Sequence, residues 1–308
     1  MAQRASERWY LVLVLGLAGV LTFIGRDWLP EGSVFTWGVG FASSAAVVLL
    51  VAALVRVQQE LQSSRRWLER QQAELNFARE VQAALFPKRL PEGTGLGFAA
   101  VCIPAEGISG DYYDVIRTQD GRLVFLIADV SGKGVPAAIL MANLHGRLRA
   151  LVETNVALDE VCRILNRHLV TFTEARRFAT LFIAQRRAGA AELEFVNAGH
   201  ELPFCFGSEF QCLEEGGPPL GLLENVEYEL GRAPLEAGEL IALYSDGVTE
   251  AMNEEGEEFG SERLKRILAE HAERPLAEIQ NAVLREIREW TGGRLTDDVT
   301  LMLVRVRS

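Results

Sequence analysis

The sequence predicts an α+β globular domain preceded by two transmembrane helices and a helical, coiled-coil linker. Three features point there. Two uncharged apolar stretches fill most of the first 55 residues, and a seam of apolar residues at alternating steps of three and four follows them. Beyond that, short strands and paired helices come in groups instead of alternating one by one, which favours α+β over a βαβ series.

The chain has 308 residues, 49% of them hydrophobic and 24% charged, with a net charge of -11. That length suits one sizeable domain plus an appendage. The acidic balance argues against a nucleic-acid partner, because no basic patch is available to meet phosphates. Cys102, Cys162, Cys205 and Cys212 form no C-x-x-C pair and His is scarce, so a zinc site is not expected. They read as reduced, mostly buried thiols of a reducing compartment.

Residues 1–55 read as a membrane anchor. No charge interrupts 9–25, and a second uncharged stretch over 33–55 ends in the aliphatic run Val47 to Val55. About 20 apolar residues cross a bilayer core, so both stretches are candidates. A cleaved signal peptide competes for the first, but a second span follows at once and no small-residue cleavage site is convincing. Trp9, Trp28 and Trp37 fall near the expected interfaces. Arg4 and Arg8 precede the first span and Arg56, Arg65 and Arg66 follow the second, while the intervening loop has Arg26 alone against Asp27 and Glu31. Positive charge stays inside, so the expected topology is multi-pass in the inner (plasma) membrane with both termini cytoplasmic.

Residues 56–86 continue as a linker. Leu54, Val57, Leu61, Ser64, Leu68, Gln71, Leu75, Ala78, Gln82 and Leu85 form the seam, flanked by Arg, Gln and Glu. This reads as a coiled coil and hence a homodimer, since chains already held side by side in a membrane pair readily. A single amphipathic helix lying on its own domain is the other reading. Pro87, Pro91, Gly93, Gly95 and Gly97 end the helix and open a domain over 87–308.

Within that domain the pattern predicts strands over 96–103, 111–118 and 123–130, then helices over 136–153 and 158–173. Strands return over 178–186, 192–197, 204–206, 228–232 and 240–244. Helices over 261–271 and 276–290 precede a last strand, 299–306.

Four short motifs place aspartates at strand ends or turns: Ser109-Gly110-Asp111-Tyr112-Tyr113-Asp114, Ala128-Asp129-Val130-Ser131-Gly132-Lys133-Gly134, Tyr244-Ser245-Asp246-Gly247 and Thr296-Asp297-Asp298-Val299-Thr300. Aspartate is depleted within strands. One that closes an apolar run such as 123–128 carries a costly charge into a half-buried place unless a cation neutralises it. Each Asp by itself could simply start a turn.

In this order the motifs resemble those of the SpoIIE/RsbU-type branch of the PPM (type 2C) phosphatases. The resemblance also includes Phe77-Ala-Arg-Glu-Val-Gln-Ala-Ala-Leu-Phe-Pro87, Asn197-Ala-Gly-His200, Pro219-Leu-Gly-Leu222 and Asp246-Gly-Val-Thr-Glu-Ala251, and it covers residues 77 to 307. It implies a PPM-type α-β-β-α sandwich and a metal-dependent serine/threonine protein phosphatase using two divalent cations, manganese or magnesium. The implied substrate is a phosphorylated regulatory protein, such as an anti-sigma-factor antagonist, in bacterial signal transduction. Carried over by position, Asp129 resembles the carboxylate that bridges the two ions, joined by the Val130 carbonyl. Asp246 and Asp297 resemble terminal ligands, and Asp111 the acidic residue on the other side of the pair. Asp298 competes with Asp297 as the direct ligand, and Asp114 and Asp298 are candidate outer partners. Ser109 stands where the family often has Gly, and no substitute is evident for the phosphate-gripping Arg of eukaryotic relatives. The resemblance further implies that the helix before the domain acts as a switch. His200 is a candidate aid to the leaving group, though a His in a Gly turn is more often structural.

Two other enzyme readings are weaker. Ser131-Gly132-Lys133-Gly134 resembles a P-loop but lacks Gly at Ile127 and Ser or Thr at Gly134. Ser109 to Tyr113 resembles the turn of diguanylate cyclases, with Tyr112 where an acid is needed and three Asp motifs left over. The remaining alternative is a catalytically silent membrane signalling protein on the same fold; no motif aspartate is missing to favour it.

Overall fold

The alternation of side chains along the strands builds the domain. The computed structural model describes residues 16, 19–20, 34–173, 177–207 and 213–307. Strand β1 spans Leu96–Ile103, β2 Tyr112–Arg117 and β3 Leu123–Val130. Helices α2 (Gly134–Val152) and α3 (Leu158–Thr173) follow. Next come β4 (Ala179–Arg186), β5 (Glu192–Ala198), β6 (Phe204–Phe206), β7 (Gly216–Gly217), β8 (Gly231–Pro234) and β9 (Leu240–Tyr244). The chain ends in α4 (Asp246–Thr249), α5 (Ser261–His271), α6 (Leu276–Trp290) and β10 (Val299–Val306). Ahead of all these lies α1, Val34–Ala83, a single helix of 50 residues.

The strands form two sheets, one of four strands in the order β1-β10-β9-β6 and one of six in the order β2-β3-β4-β5-β7, with β8 also pairing β5. In β3, Val124, Leu126, Ala128 and Val130 face α2 and α3, while Leu123, Phe125 and Ile127 face the other sheet. In β10, Val299, Leu301 and Leu303 face α5 and α6, while Met302, Val304 and Val306 face inward. Period-2 side chains thus generate three apolar layers: helices on sheet, sheet on sheet, and sheet on helices. This is the α-β-β-α sandwich that the sequence resemblance implies. Each fully buried Phe or Leu of these layers, such as Phe125, adds about 1.5–3 kcal/mol of transfer free energy.

The helices follow from their 3.6-residue period. α2 buries Ala137, Leu140, Met141, Leu144, Leu148 and Val152, one stripe against the sheet. α6 does the same with Ile279, Ala282, Val283 and Ile287. The three described cysteines, Cys102, Cys162 and Cys205, are free thiols, as the sequence leads one to expect.

Some boundaries differ from expectation. α2 begins at Gly134, two residues before the expected start, with Pro136 accommodated in its first turn. The strand expected over 228–232 is displaced to Gly231–Pro234, because Tyr228 packs in the helix-side layer and not in a sheet. β7 and the one-turn α4 were not foreseen. The first expected membrane span, 9–25, lies outside the described residues apart from Gly16, Gly19 and Val20.

The chain divides into the units Met1–Glu74 and Leu75–Ser308. In the first, the apolar part of α1 contains one candidate span among the described residues, a window of mean hydropathy 1.5. Leu54, Val57, Leu61 and Leu68 of the expected seam are exposed in the single chain.

One ion pair, with its carboxylate buried and its arginine half-exposed, pins α2 to β2. Asp114 has a side-chain exposure of 0% and accepts from Arg149 at 2.7 and 3.0 Å, from the Tyr112 hydroxyl at 2.5 Å and from the Val115 amide at 2.8 Å. Removing Arg149 strands that carboxylate among apolar neighbours. Arg149→Met is expected to lower the unfolding free energy by about 3 kcal/mol in chemical denaturation. A loss below about 0.5 kcal/mol, the range of a bland surface change, would contradict this role for the pair.

Candidate active site

The alternation that builds the core also aims the aspartates. In β2 the odd-numbered Tyr113 and Val115 face the layer between the sheets, so Asp111, just before the strand, falls on the same side. In β3, Asp129 shares the parity of Leu123, Phe125 and Ile127. In β10, Thr300 shares the parity of Met302 and Val304, and its hydroxyl donates to Asp111 Oδ2 at 2.5 Å. The strand ends of both sheets therefore meet at one end of the inter-sheet layer, and five of the six motif aspartates with them.

Asp246 opens α4 directly after β9. Ser245 ties that turn to β10: its amide donates to the Thr300 carbonyl at 3.0 Å, and its hydroxyl accepts from the Thr300 amide at 3.0 Å. Only glycine fits next, because a Cβ on Gly247 would stand 2.1 Å from the Asp298 carbonyl oxygen. Across the site, a Cβ on Gly110 would stand 2.9 Å from the Val130 carbonyl oxygen, so that carbonyl keeps its place beside Asp129 only while residue 110 has no side chain.

Burial and crowding act together on these carboxylates. Asp111 is raised well above the usual carboxylate range, first by burial and then by the charge of Asp129. Asp129 is pushed up to about 7 by burial and by Asp246. Asp246 is raised by burial and by Asp297. Each of these groups is uncomfortable as a lone anion in this place.

Asp297 and Asp298 part company. Asp298 is the more engaged: Oδ1 accepts from the Ala105 amide at 2.8 Å, and Oδ2 accepts from the Ser109 hydroxyl and the Gly110 amide, both at 2.8 Å. It clamps the 105–110 loop to the start of β10. Asp297 is 41% exposed and pairs through Oδ2 with Lys133 at 2.7 Å. Its Oδ1 accepts the Asp298 amide at 2.9 Å.

Asp114 is not where an outer partner of the site would lie. It has the opposite parity to Asp111 and Tyr113, faces α2 and is taken up by Arg149. His200 is buried, and burial pulls its imidazole down to about 4, so the ring is neutral at pH 7. Nδ1 lies 2.8 Å from the Thr180 hydroxyl, and the His200 amide donates to Asn197 Oδ1 at 2.7 Å. Thr180 faces Asp129 across the β3–β4 ladder. This ring braces the turn after β5 as a neutral imidazole, not as the imidazolium that would serve as a strong general acid.

Several partners were missed by sequence reasoning. Ser109 is the centre of a small network: its hydroxyl donates to Asp298 and accepts from the Asp111 amide at 2.9 Å and from the Cys102 thiol at 3.3 Å. A Gly there would lose the hydroxyl, which gives the departure from the family pattern a physical role. Gln82, near the end of α1, donates to the Ser109 carbonyl at 2.7 Å and accepts from the Ser109 amide at 2.8 Å. Arg79 donates to the Gly107 carbonyl at 2.7 Å. The only sequence signal for either was its place in the segment from Phe77 to Pro87.

Among the described residues no three His, Cys, Asp or Glu side chains form a ready-made cage. The donor set still fits hard divalent cations. It is oxygen throughout, crowded with like charge, and magnesium commonly keeps several waters and takes only one or two carboxylates.

Residues 119–307 match the family described as Stage II sporulation protein E (SpoIIE). The chain belongs to the SpoIIE family. It is 31% identical over 250 residues to the phosphoserine phosphatase RsbU of Bacillus subtilis, covering 80% of this chain and 74% of that protein. It is 30% identical to the protein IcfG of Synechocystis, across 75% of this chain and 41% of IcfG. Among solved structures, the SiaA PP2C domain of Pseudomonas aeruginosa superposes with a TM-score of 0.68 at 22% identity, over 77% of this chain and 98% of that one. The PP2C phosphatase domain of Bacillus subtilis SpoIIE does so with 0.59 at 21% identity, over 68% and 63%. A PPM fold in a SpoIIE-family chain sets aside the cyclase reading of residues 109–113.

Proposed function

We propose that this SpoIIE-family protein is a metal-dependent serine/threonine protein phosphatase that acts on a phosphorylated regulatory protein of the anti-sigma-factor-antagonist kind. The observation that carries the reading is the convergence of Asp111, Asp129, Asp246 and Asp297, from separate chain segments, at one end of the inter-sheet layer of a PPM fold. The phosphoserine phosphatase activity in the name of RsbU supports the reaction class.

Asp129, the Val130 carbonyl, Asp111, Asp246 and Asp297 would hold two manganese or magnesium ions. Such ions, when bound, lower the pKa of a shared water and stabilise the charge that develops in an in-line displacement. Asp297, half-exposed, is the ligand in this reading, and Asp298, which accepts three hydrogen bonds from the 105–110 loop, positions it. Thr300 and Ser109 orient Asp111 and Asp298. A water oxygen forms the new bond to phosphorus as the ester P–O bond breaks, and the seryl or threonyl oxygen leaves with a proton. No protein nucleophile is required. Asp129→Asn is expected to abolish manganese-dependent phosphate release from a phosphopeptide while the domain stays folded by circular dichroism. Turnover surviving in that variant would sink the ligand assignment, and an inactive wild type would favour the silent signalling reading.

The same reading places the catalytic domain, 87–308, in the cytoplasm behind a membrane anchor, 1–55, and a dimeric linker, 56–86, that acts as a switch. The apolar window of α1 and the exposed seam residues support it. The hydrogen bonds from Gln82 to Ser109 give the end of α1 a route to the Asp111 motif. In membranes holding the full chain, a Leu68→Cys variant should cross-link as a dimer, and a reporter fused after Ser308 should report from the cytoplasm. Monomer alone, or an external reporter, would contradict this arrangement.

A further inference from the structure

We infer that Lys133 is the cation that grips the substrate's phosphate group, the role for which the sequence shows no arginine. The inference rests on the phosphatase reading and adds to it a residue that contacts substrate. Lys133 sits between β3 and α2 at the N-cap of α2, and its side chain makes no capping hydrogen bond. Its Nζ lies 2.7 Å from Asp297 Oδ2 and donates to the Thr296 carbonyl at 2.8 Å. An ammonium has three N–H donors. Two are used here, and the third has no acceptor among the described residues.

Position and charge favour a ligand for that third donor. The Lys133 side chain is 51% exposed and that of Asp297 41%, so the pair stands where solvent and substrate enter, whereas Asp111 lies buried behind it. Among the described residues no arginine is hydrogen-bonded or ion-paired to Asp111, Asp129, Asp246, Asp297 or Asp298; Lys133 is the cation that meets this group. Arg177, on the same rim, spends its Nη1 on the backbone, donating to the Ser131 carbonyl at 2.9 Å. The Phe178 amide donates to the Ser131 hydroxyl at 3.0 Å, and the Ser131 amide to the Phe178 carbonyl at 2.9 Å. These bonds fix the loop that carries Lys133.

The charge balance explains why one ammonium suffices. Against five aspartates, Lys133 leaves the bare site strongly negative, which repels a phosphate dianion. With the carboxylates neutralised by divalent cations, the pairing to Asp297 is no longer needed for balance. The ammonium is then free to take a non-bridging phosphate oxygen in a charge-assisted hydrogen bond. The ligand class is a phosphate monoester dianion, and the product, inorganic phosphate, shares its chemistry.

The test uses the full chain in detergent with manganese and compares wild type, Lys133→Met and Lys133→Arg. Three quantities are read: KM for a phosphoserine peptide, the calorimetric Kd of inorganic phosphate, and the manganese concentration at half-maximal activity. Lys133→Met is expected to raise both KM and the phosphate Kd by about tenfold or more, with the manganese dependence unchanged. Lys133→Arg should recover most of both. A folded Lys133→Met protein that binds phosphate as tightly as wild type overturns the inference. So does a variant in which only the manganese requirement moves, since Lys133 would then serve Asp297 alone. Wild type that neither turns over nor binds phosphate overturns the phosphatase reading itself.

Discussion

Asp111, Asp129 and Asp246 stand near enough to one another, and deep enough, that each raises the cost of ionising the next. They sit at the end of an apolar layer between two sheets, where solvation is poor and isolated anions are expensive. Much of the local architecture serves that crowding. Gly110 and Gly247 let backbone approach where a Cβ would collide. Thr300 and Ser109 give hydrogen bonds to carboxylates that cannot all be ionised cheaply. Asp298, although acidic, spends its oxygens on the 105–110 loop and so adds rigidity where more free charge would be harmful. Divalent cations held by these oxygens would resolve the remaining repulsion.

The layered fold was largely legible because period-2 and period-3.6 patterns are local signals. β1, β3, β9 and β10 fall where the apolar runs put them, and α5 and α6 where the apolar stripes do. Parity along a strand carried information about the site as well. Asp111 and Asp129 share the parity of inward-facing neighbours, while Asp114 has that of Tyr112 and Ile116, which face the helices. Attention to parity alone would have removed Asp114 from the site. What could not be read is what depends on long-range meetings. Asp298 clamps Ala105 across 193 positions, and Gln82 reaches Ser109 across 27. β7, two glycines beside β5, has no side chain to give a pattern, and Tyr228 looks like a strand residue but is drawn into the helix-side layer.

In the proposed two-cation reading, the preference for Asp297 over Asp298, open from sequence, rests on hydrogen-bond capacity. A carboxylate whose oxygens already accept three donors offers little to an ion, whereas one paired only with a half-exposed lysine and a single amide offers more. The same bookkeeping assigns His200 to support, since burial keeps its ring neutral and its contacts run to Thr180 and Asn197. The end of α1 is tied into the same network: Gln82 satisfies both backbone groups of Ser109, the residue whose hydroxyl joins Asp111 to Asp298.

The central claim is that this crowded end of the sandwich is a two-cation site. Calorimetric titration of manganese into the purified protein, with melting temperature followed in parallel, tests it most directly. Two ions bound per chain, with a melting temperature that rises as they bind, is the predicted result. A single ion, or none at millimolar manganese in a folded protein, would contradict it.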